Sequence, residues 1–583
     1  MKKLPRFRSF IHTALEDLRL RTSRPDALAL LAVLSVIAGL ATGLVIVSFR
    51  LLIEYAQLLF LPDNAPGNFE GLPLAFRIAL PVAGALLIAL VFRLWAKGQN
   101  TVGVLHVMER LSYNRGYLGL RGLVLQYVGA ALAIISGQSM GREGPSVHLG
   151  AATGSLLGQR LTLPDNAIRT LIACGAAAGI SASFNTPLAG VIFALEVVMM
   201  EYTLAGFLPV ILAAVSATAI SRAVFGAEPV FSVPNFEFIT LLELPYIVVL
   251  GMVTGFAAFL FIYLTRFTAR AGRELPLWKR FLIAGAITGV LAVLVPQIMG
   301  LGYDTASSIL QNEIGLVLLL MIFAAKVVAT ACSVGLGLPA GLIGPTFFIG
   351  ACLGGVMGIL GQWAIPGPTS SPGLYALIGM GAMMGAVLQA PLAALTAIFE
   401  LTRNSNVILP GMLAIVTAGL TASVLFGQHS IYRTLMRERG MDYRHNPLGQ
   451  AFGRVGVVNI MNRNIKNSPR AVTPGQAKEL VKGGTEWIVI QEDSDVSVLA
   501  AKDLTNFLME NEVLGEADID LMEIPARHLR AGYTDLKATV SSAREQFLRE
   551  NVEALCIRSF SVEGTAKIYG VLTFANLKSS YFT

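Results

Sequence analysis

Gly141-Arg-Glu-Gly-Pro-Ser-Val-His-Leu-Gly150 puts an arginine, a carboxylate and two helix-breaking residue types inside an apolar, glycine-rich region. The pattern returns 200 positions later as Gly341-Leu-Ile-Gly-Pro-Thr-Phe-Phe-Ile-Gly350. Both copies read G-x-x-G-P-[S/T]-x-x-x-G, and each follows a further glycine four residues earlier (Gly137, Gly337). Downstream, Pro187-Leu-Ala-Gly-Val-Ile-Phe-Ala-Leu-Glu196 is echoed by Pro391-Leu-Ala-Ala-Leu-Thr-Ala-Ile-Phe-Glu400, with proline and glutamate in register. Duplicated, Gly/Pro-interrupted apolar segments at matching places in two halves point to an ion or substrate site at the membrane midplane.

Composition agrees with a membrane location. Of 583 residues, 54% are apolar and 14% charged, and the mean hydropathy is +0.65. Soluble domains carry about 25% charged residues. Cys174, Cys332, Cys352 and Cys556 lie far apart, with no C-x-x-C or Cys/His cluster, so neither a disulfide framework nor a metal site is expected. The net charge of +7 marks topology rather than a nucleic-acid partner. Lys2, Lys3, Arg6, Arg8, Arg19, Arg21 and Arg24 precede the first apolar span, and Arg433, Arg437 and Arg439 follow the last. The positive-inside rule makes both flanks, and both termini, cytoplasmic.

Apolar stretches run over 27–61, 73–96, 118–136, 187–223, 244–268, 281–300, 315–334, 373–400 and 406–426. Several are too long or too glycine-broken for one perpendicular span, so tilted, re-entrant and half-spanning helices are expected. The expected fold is an all-α polytopic membrane protein with inverted repeats and broken helices, followed by an α/β tail. Its parts are a basic helix at 1–26, a membrane domain at 27–439 (repeats at about 27–225 and 240–430), a linker at 440–452 and a tail at 453–583.

Two readings compete at Arg142 and Glu143. A lone charge at bilayer depth costs about 2.5 to more than 10 kcal/mol. The pair either neutralises itself, or the carboxylate competes with a permeant anion for one site. Gly144 and Pro145 favour the second, because they end an irregular segment and open a helix. Free N–H groups and a positive helix end then face an anion.

These residues resemble the CLC chloride channel and transporter family, whose signature G-[R/K]-E-G-P stands here as Gly141–Pro145. The resemblance covers most of residues 30–440. Gly341-Leu-Ile-Gly-Pro345 is similar to the family's G-x-F-x-P element, with Ile343 in place of the aromatic, and Ser430-Ile-Tyr432 to its last membrane helix. The resemblance implies a homodimer in the lipid bilayer with one pathway per subunit and chloride or another small anion as cargo. Glu143 becomes the gating glutamate, which also carries a proton in the antiporters. Thr101, Gly103, Arg142, Gly144, Leu342, Ile343 and Tyr432 become the anion-binding set.

Two departures shape the expectation. The family's G-S-G-I-P reads Thr101-Val-Gly-Val-Leu105 here, so Val102 stands at the serine and only Gly103 keeps register. The antiporters' inner Glu-Glu reads Glu196-Val197, and valine cannot relay a proton. Passive conduction is therefore the favoured expectation. Proton exchange through a displaced relay at Glu201, four residues on, is the alternative, and fluoride export a lesser one. Glu196 and Glu400, at repeat-equivalent positions, are expected to cap or bridge internal helices, and His148 to pack.

The tail resembles a CBS-domain pair, opening near Val458–Met461 and closing at Gly570–Asn576. That likeness implies an adenine nucleotide held by Asp503, Thr573 and Asn576; a structural or dimer-stabilising role is the plainer expectation. No other cofactor and no metal are expected. A membrane-anchored nucleotide sensor leaves the duplicated motifs unexplained. An intramembrane enzyme would need a catalytic constellation, and no H-E-x-x-H or paired motif is present.

Overall fold

The computed structural model describes residues 27–96, 102–201, 204–227, 238–365, 367–402, 404–441, 455–492, 495–511, 518–560 and 566–579, with isolated positions at 233–234, 236 and 452. The expected basic helix at 1–26, Thr101 and most of the 440–452 linker lie outside them. Contacts divide the chain into two compact units. One comprises Leu31–Gln159 and Arg169–Tyr443; the other comprises Met1–Leu30, Arg160–Ile168 and Arg444–Thr583.

The larger unit is helical. Its first half holds α1 (Leu28–Leu58), α2 (Leu74–Trp95), α3 (Val104–Tyr113), α4 (Leu120–Ile135), α5 (Glu143–Arg160), α6 (Asp165–Phe184), α7 (Pro187–Phe193) and α8 (Leu204–Phe225). The second half repeats the order as α9 (Leu244–Ala271), α10 (Leu277–Leu294), α11 (Tyr303–Leu310), α12 (Leu316–Gly335), α13 (Ile343–Ala364), α14 (Pro372–Leu388), α15 (Pro391–Thr402) and α16 (Ile408–Leu420), and α17 (Ile431–Glu438) follows. Helices α5 and α13 open at the two motif copies, α7 and α15 at Pro187 and Pro391. Helices α3 and α11 each start behind a positive-φ glycine, Gly103 (φ 87°) and Gly302 (φ 70°).

Among the described residues, nine helices are long and apolar enough to cross a membrane. The chain is a multi-pass integral membrane protein. Its centre is built from small residues rather than from the most apolar ones. A Cβ on Gly150 of α5 would lie 2.0 Å from the Gly175 carbonyl oxygen of α6, and one on Gly350 of α13 would lie 2.3 Å from that of Gly379 on α14. Glycine is required at both contacts because the helix backbones touch. We expect Gly350→Leu to abolish recovery of monodisperse protein from detergent, which size-exclusion chromatography reads directly; an unchanged profile would refute the packing argument.

Two long apolar stretches are broken where continuity was conceivable. The 187–223 stretch ends its first helix in a π-helical turn, Ala194–Met199, and Met200 is left-handed at φ 53°. The 373–400 stretch breaks at Gln389, also left-handed at φ 54°. Helices α5, α6 and α13 were not among the apolar stretches picked from sequence. The glycine-, alanine- and polar-rich composition of α5 and α6 hides helices that are buried in protein rather than lipid, whereas α13 is as apolar as the stretches that were read.

The tail folds as two β-α-β-β-α units. The first uses β1 (Ile465–Ser468), α18 (Pro474–Leu480), β3 (Trp487–Glu492), β4 (Asp495–Ala500) and α19 (Ala501–Glu510), with the short β2 (Ala471–Val472) pairing β5 (Ile519–Asp520) beside it. The second uses β6 (Leu529–Asp535), α20 (Val540–Glu550), β7 (Ala554–Phe560), β8 (Ala566–Thr573) and α21 (Phe574–Ser579). In each unit a parallel pair joined through a helix precedes an antiparallel hairpin. The units share one six-stranded sheet, ordered β1-β3-β4-β6-β7-β8. Helix α20 begins at Val540, after the strand Leu529–Asp535, and Thr539 caps it. Burial in this sheet pushes the Cys556 thiol up to about 12. Thiolate is the reactive form, so Cys556 should resist maleimide labelling at pH 7 until urea opens the tail, as peptide mass spectrometry would record.

Candidate functional site

The two motif copies meet at a single point. Gly141 and Gly341 exchange both backbone hydrogen bonds at 2.7 Å, an isolated antiparallel bridge between residues 200 apart. The approaches repeat as well. Gly137 N–H donates to the Ile134 carbonyl (3.1 Å) as Gly337 N–H does to Val334 (3.0 Å), and Met140 to Gln138 (2.7 Å) as Ala340 to Leu338 (2.9 Å). Left-handed Gly137 (φ 74°) and Gly337 (φ 88°) make these turns possible. Helices α5 and α13 therefore both start at the crossing of the halves.

Glu143 opens α5, yet its side chain reaches α13. It is fully buried; Oε2 accepts the Gly344 N–H at 3.0 Å and Oε1 the Tyr303 hydroxyl at 2.5 Å. The carboxylate thus occupies an anion position at a helix N-terminus. A Cβ on Gly344 would come within 2.6 Å of Oε1 and one on Gly141 within 1.9 Å of Oε2, so either would displace the carboxylate from this position. Arg142 is not its ion-pair partner. The guanidinium donates to the Ser183 carbonyl at 3.0 Å and sits over the Tyr303 ring at 5.1 Å. The self-neutralising pair is thereby excluded.

Two cavities are lined by the sequence neighbours of Glu143, one by Gly144 and the other by Arg142. One, of about 360 Å³, includes Val102, Gly103, Leu105, Gly144, Leu342 and Tyr432 in its lining and opens among Arg270, Arg273, Arg280 and Arg439. The other, of about 250 Å³, is lined by Arg50, Glu54, Arg142, Leu301, Tyr303 and Asp304 among others. Most of the expected anion-binding set (Gly103, Gly144, Leu342, Tyr432) gathers in the basic-side cavity. Arg142 lies in the opposite one, and Ile343 lines a small apolar cavity of about 20 Å³ beside Glu143. Thr101 lies outside the described residues. The start of α3 thus brings Val102, which has no hydroxyl, to the basic-side cavity.

Glu196 and Glu400 cap each other's helices. Glu196 accepts the Leu392 and Ala393 N–H groups (3.2 and 2.7 Å) at the start of α15; Glu400 accepts those of Leu188 and Ala189 (3.0 and 2.8 Å) at the start of α7. Val197 is buried in the π-helical turn. Glu201 does not share its helix face, because left-handed Met200 ends the helix and Glu201 lies beyond it, half-buried.

Two features went unread in the sequence. Tyr303 was not singled out, although the Gly302–Tyr303 start of α11 repeats Gly103–Val104 in the first half. His148 is buried but does more than pack. Its Nε2 lies 2.9 Å from Nδ1 of His106, whose Nε2 receives the Arg110 Nε–H at 3.1 Å. Arginine only donates, so His106 Nδ1 carries the proton and donates to His148. In the tail, Asp503 and Asn576 fall at matching places in the first turns of α19 and α21. The Thr573 hydroxyl accepts the Asn576 N–H at 3.2 Å as a helix cap.

Residues 84–423 match the family described as Voltage gated chloride channel. Over 418 residues the chain is 35% identical to the putative chloride channel protein ClcB-like of Ralstonia nicotianae, covering 70% of this chain and 97% of that one. It is 31% identical over 337 residues to the H(+)/Cl(-) exchange transporter ClcA of Vibrio cholerae, covering 55% and 71% respectively. Among solved structures, a CLC-type fluoride/proton antiporter aligns with a TM-score of 0.57 at 26% identity, over 70% of this chain and 98% of that one. A sequence match over more than half its length, and a fold that crosses its two motif copies at one glycine bridge, place this chain in the voltage gated chloride channel (CLC) family.

Proposed function

We propose that this CLC anion transporter exchanges an anion, chloride by default, for protons, with Glu143 as both gate and proton carrier. The carrying observation is the fully buried Glu143 carboxylate, held in an anion position between two cavities. Carboxylate and anion are like charges contending for one desolvated place, so protonation releases the gate. A plugged site suits alternating occupancy better than an open pore. The relatives named as a chloride/proton exchanger and a fluoride/proton antiporter support the same reading. Exchange therefore replaces the passive conduction favoured on Val197 alone. Gly103, Gly144, Leu342 and Tyr432 line the anion's route on the basic side, which the charge rule makes cytoplasmic. Protons then enter from that side through Glu201, the half-buried carboxylate beyond Val197.

The test is a proteoliposome assay recording chloride and external pH together. A chloride gradient should drive protons uphill, and Glu201→Gln should stop the protons while chloride still moves. Chloride efflux without linked protons in the native protein would return the passive reading. Fluoride in place of chloride decides the anion. For the tail we propose a CBS-like pair that stabilises a homodimer, since Thr573 already caps a helix. An adenine-nucleotide-dependent rise in its melting temperature would overturn that role in favour of sensing.

A further inference from the structure

We propose that the Tyr303 hydroxyl is a ligand of the anion position on the side opposite the basic cavity, donating to the Glu143 carboxylate while the gate is closed and to the transported anion once the carboxylate leaves. The proposal rests on the gate reading of Glu143.

The carboxylate marks the place. Its oxygens take one backbone donor, Gly344 N–H at 3.0 Å, and one side-chain donor, Tyr303 O–H at 2.5 Å. When Glu143 swings out, the buried Gly344 N–H loses its acceptor, which is costly, and the Tyr303 hydroxyl beside it is released to a new one. An incoming anion satisfies both at once. Neutral donors also let the anion go again, as conduction requires.

The phenol is positioned for this task. Gly302 turns the chain into α11 against the ring of Phe348, where a Cβ would lie 2.8 Å away. The Tyr303 ring contacts that of Phe184, with centroids 6.3 Å apart. Arg142 stands over its face at 5.1 Å. A cation over the ring draws electron density from it and makes the hydroxyl a stronger donor.

The repeat places this hydroxyl at a helix start. The starts of α3 and α11 are counterparts, and each lines one cavity: Val102 and Gly103 the basic one, Gly302 and Tyr303 the other. The family's serine hydroxyl at the α3 start is absent at Val102. On the opposite side the counterpart helix presents the hydroxyl of Tyr303, which in the Gly103/Gly302 register corresponds to Val104.

The experiment compares chloride binding by titration calorimetry in full-length Glu143→Gln protein with and without Tyr303→Phe. With the charged gate removed, loss of the hydroxyl should weaken chloride about tenfold. Unchanged affinity would overturn the proposal. In proteoliposomes, Tyr303→Phe alone should move the midpoint of acid activation up by about one pH unit, because a donor to the ionised carboxylate has been lost. The other titratable and charged groups around the pair are Arg142, Arg50 and Glu54 on α1, Asp304 on α11, Lys326 on α12 and Tyr432 on α17. They are common to both proteins and cancel in the comparison. If Tyr303→Phe fails to fold, site-specific 3-fluorotyrosine at 303 keeps the shape with a stronger donor, and the midpoint should move down instead; no movement would overturn the proposal. Persistent acid activation in Glu143→Gln would sink the gate reading, while the calorimetric comparison would still judge Tyr303.

Discussion

Glu143→Gln should free anion flux from pH and from protons together. In the native protein one carboxylate decides access. Above its midpoint the protonated fraction of a single group falls about tenfold per pH unit, and flux should fall with it. Glutamine keeps the size but cannot ionise, so it neither competes with the anion as a charge nor carries a proton. Flux should become flat from pH 4 to 8 and reach at least the native acid level, and a chloride gradient should no longer move protons. The same proteoliposome traces provide both readings. Retention of a steep pH dependence in this variant would remove Glu143 from the gate. Complete loss of flux would also count against it, because removing a competitor should not close the path.

The second large effect concerns the glutamates that tie the halves together. Glu196 and Glu400 each satisfy two N–H groups at the start of the other half's helix, where the helix dipole favours negative charge. Replacing either by alanine leaves two N-terminal donors without an acceptor inside the membrane domain. The loss should be about 2–4 kcal/mol each, with glutamine costing less because one carbonyl acceptor remains. Thermal unfolding in detergent should show the order native, glutamine, alanine at both positions, and roughly additive losses in the double variant. An alanine variant at either site as stable as native protein would show that these caps are replaceable by water.

Much of this arrangement was legible in the chain because it is written twice. The offset of 200 between Gly141 and Gly341, and the register of Glu196 with Glu400, reveal a duplication that composition alone would hide. Reciprocal capping was readable from the second, since equal residues at equal places in two halves suggest equal partners. The central helices were harder. Helix α5 and helix α13 carry so much glycine that they resemble irregular backbone, and only contact with α6 and α14 makes them helices buried in protein. The four-residue spacing of Glu201 from Val197 does not put the two on one helix face, because Met200 adopts a left-handed turn that nothing local announces.

The sequence by itself determined the class: a membrane chain, duplicated, with one carboxylate stationed where a helix begins at the midplane. These are consequences of composition and spacing, which act along the chain and need no partner in space. Only the tertiary structure decided what Glu143 touches. Its acceptors meet Gly344 from 201 residues away and Tyr303 from 160 residues away, and Arg142, its neighbour in sequence, turns to Ser183 instead. Hydrogen bonds across the crossing of two half-structures depend on where separate helices end in space, and no local rule of spacing or propensity carries that information.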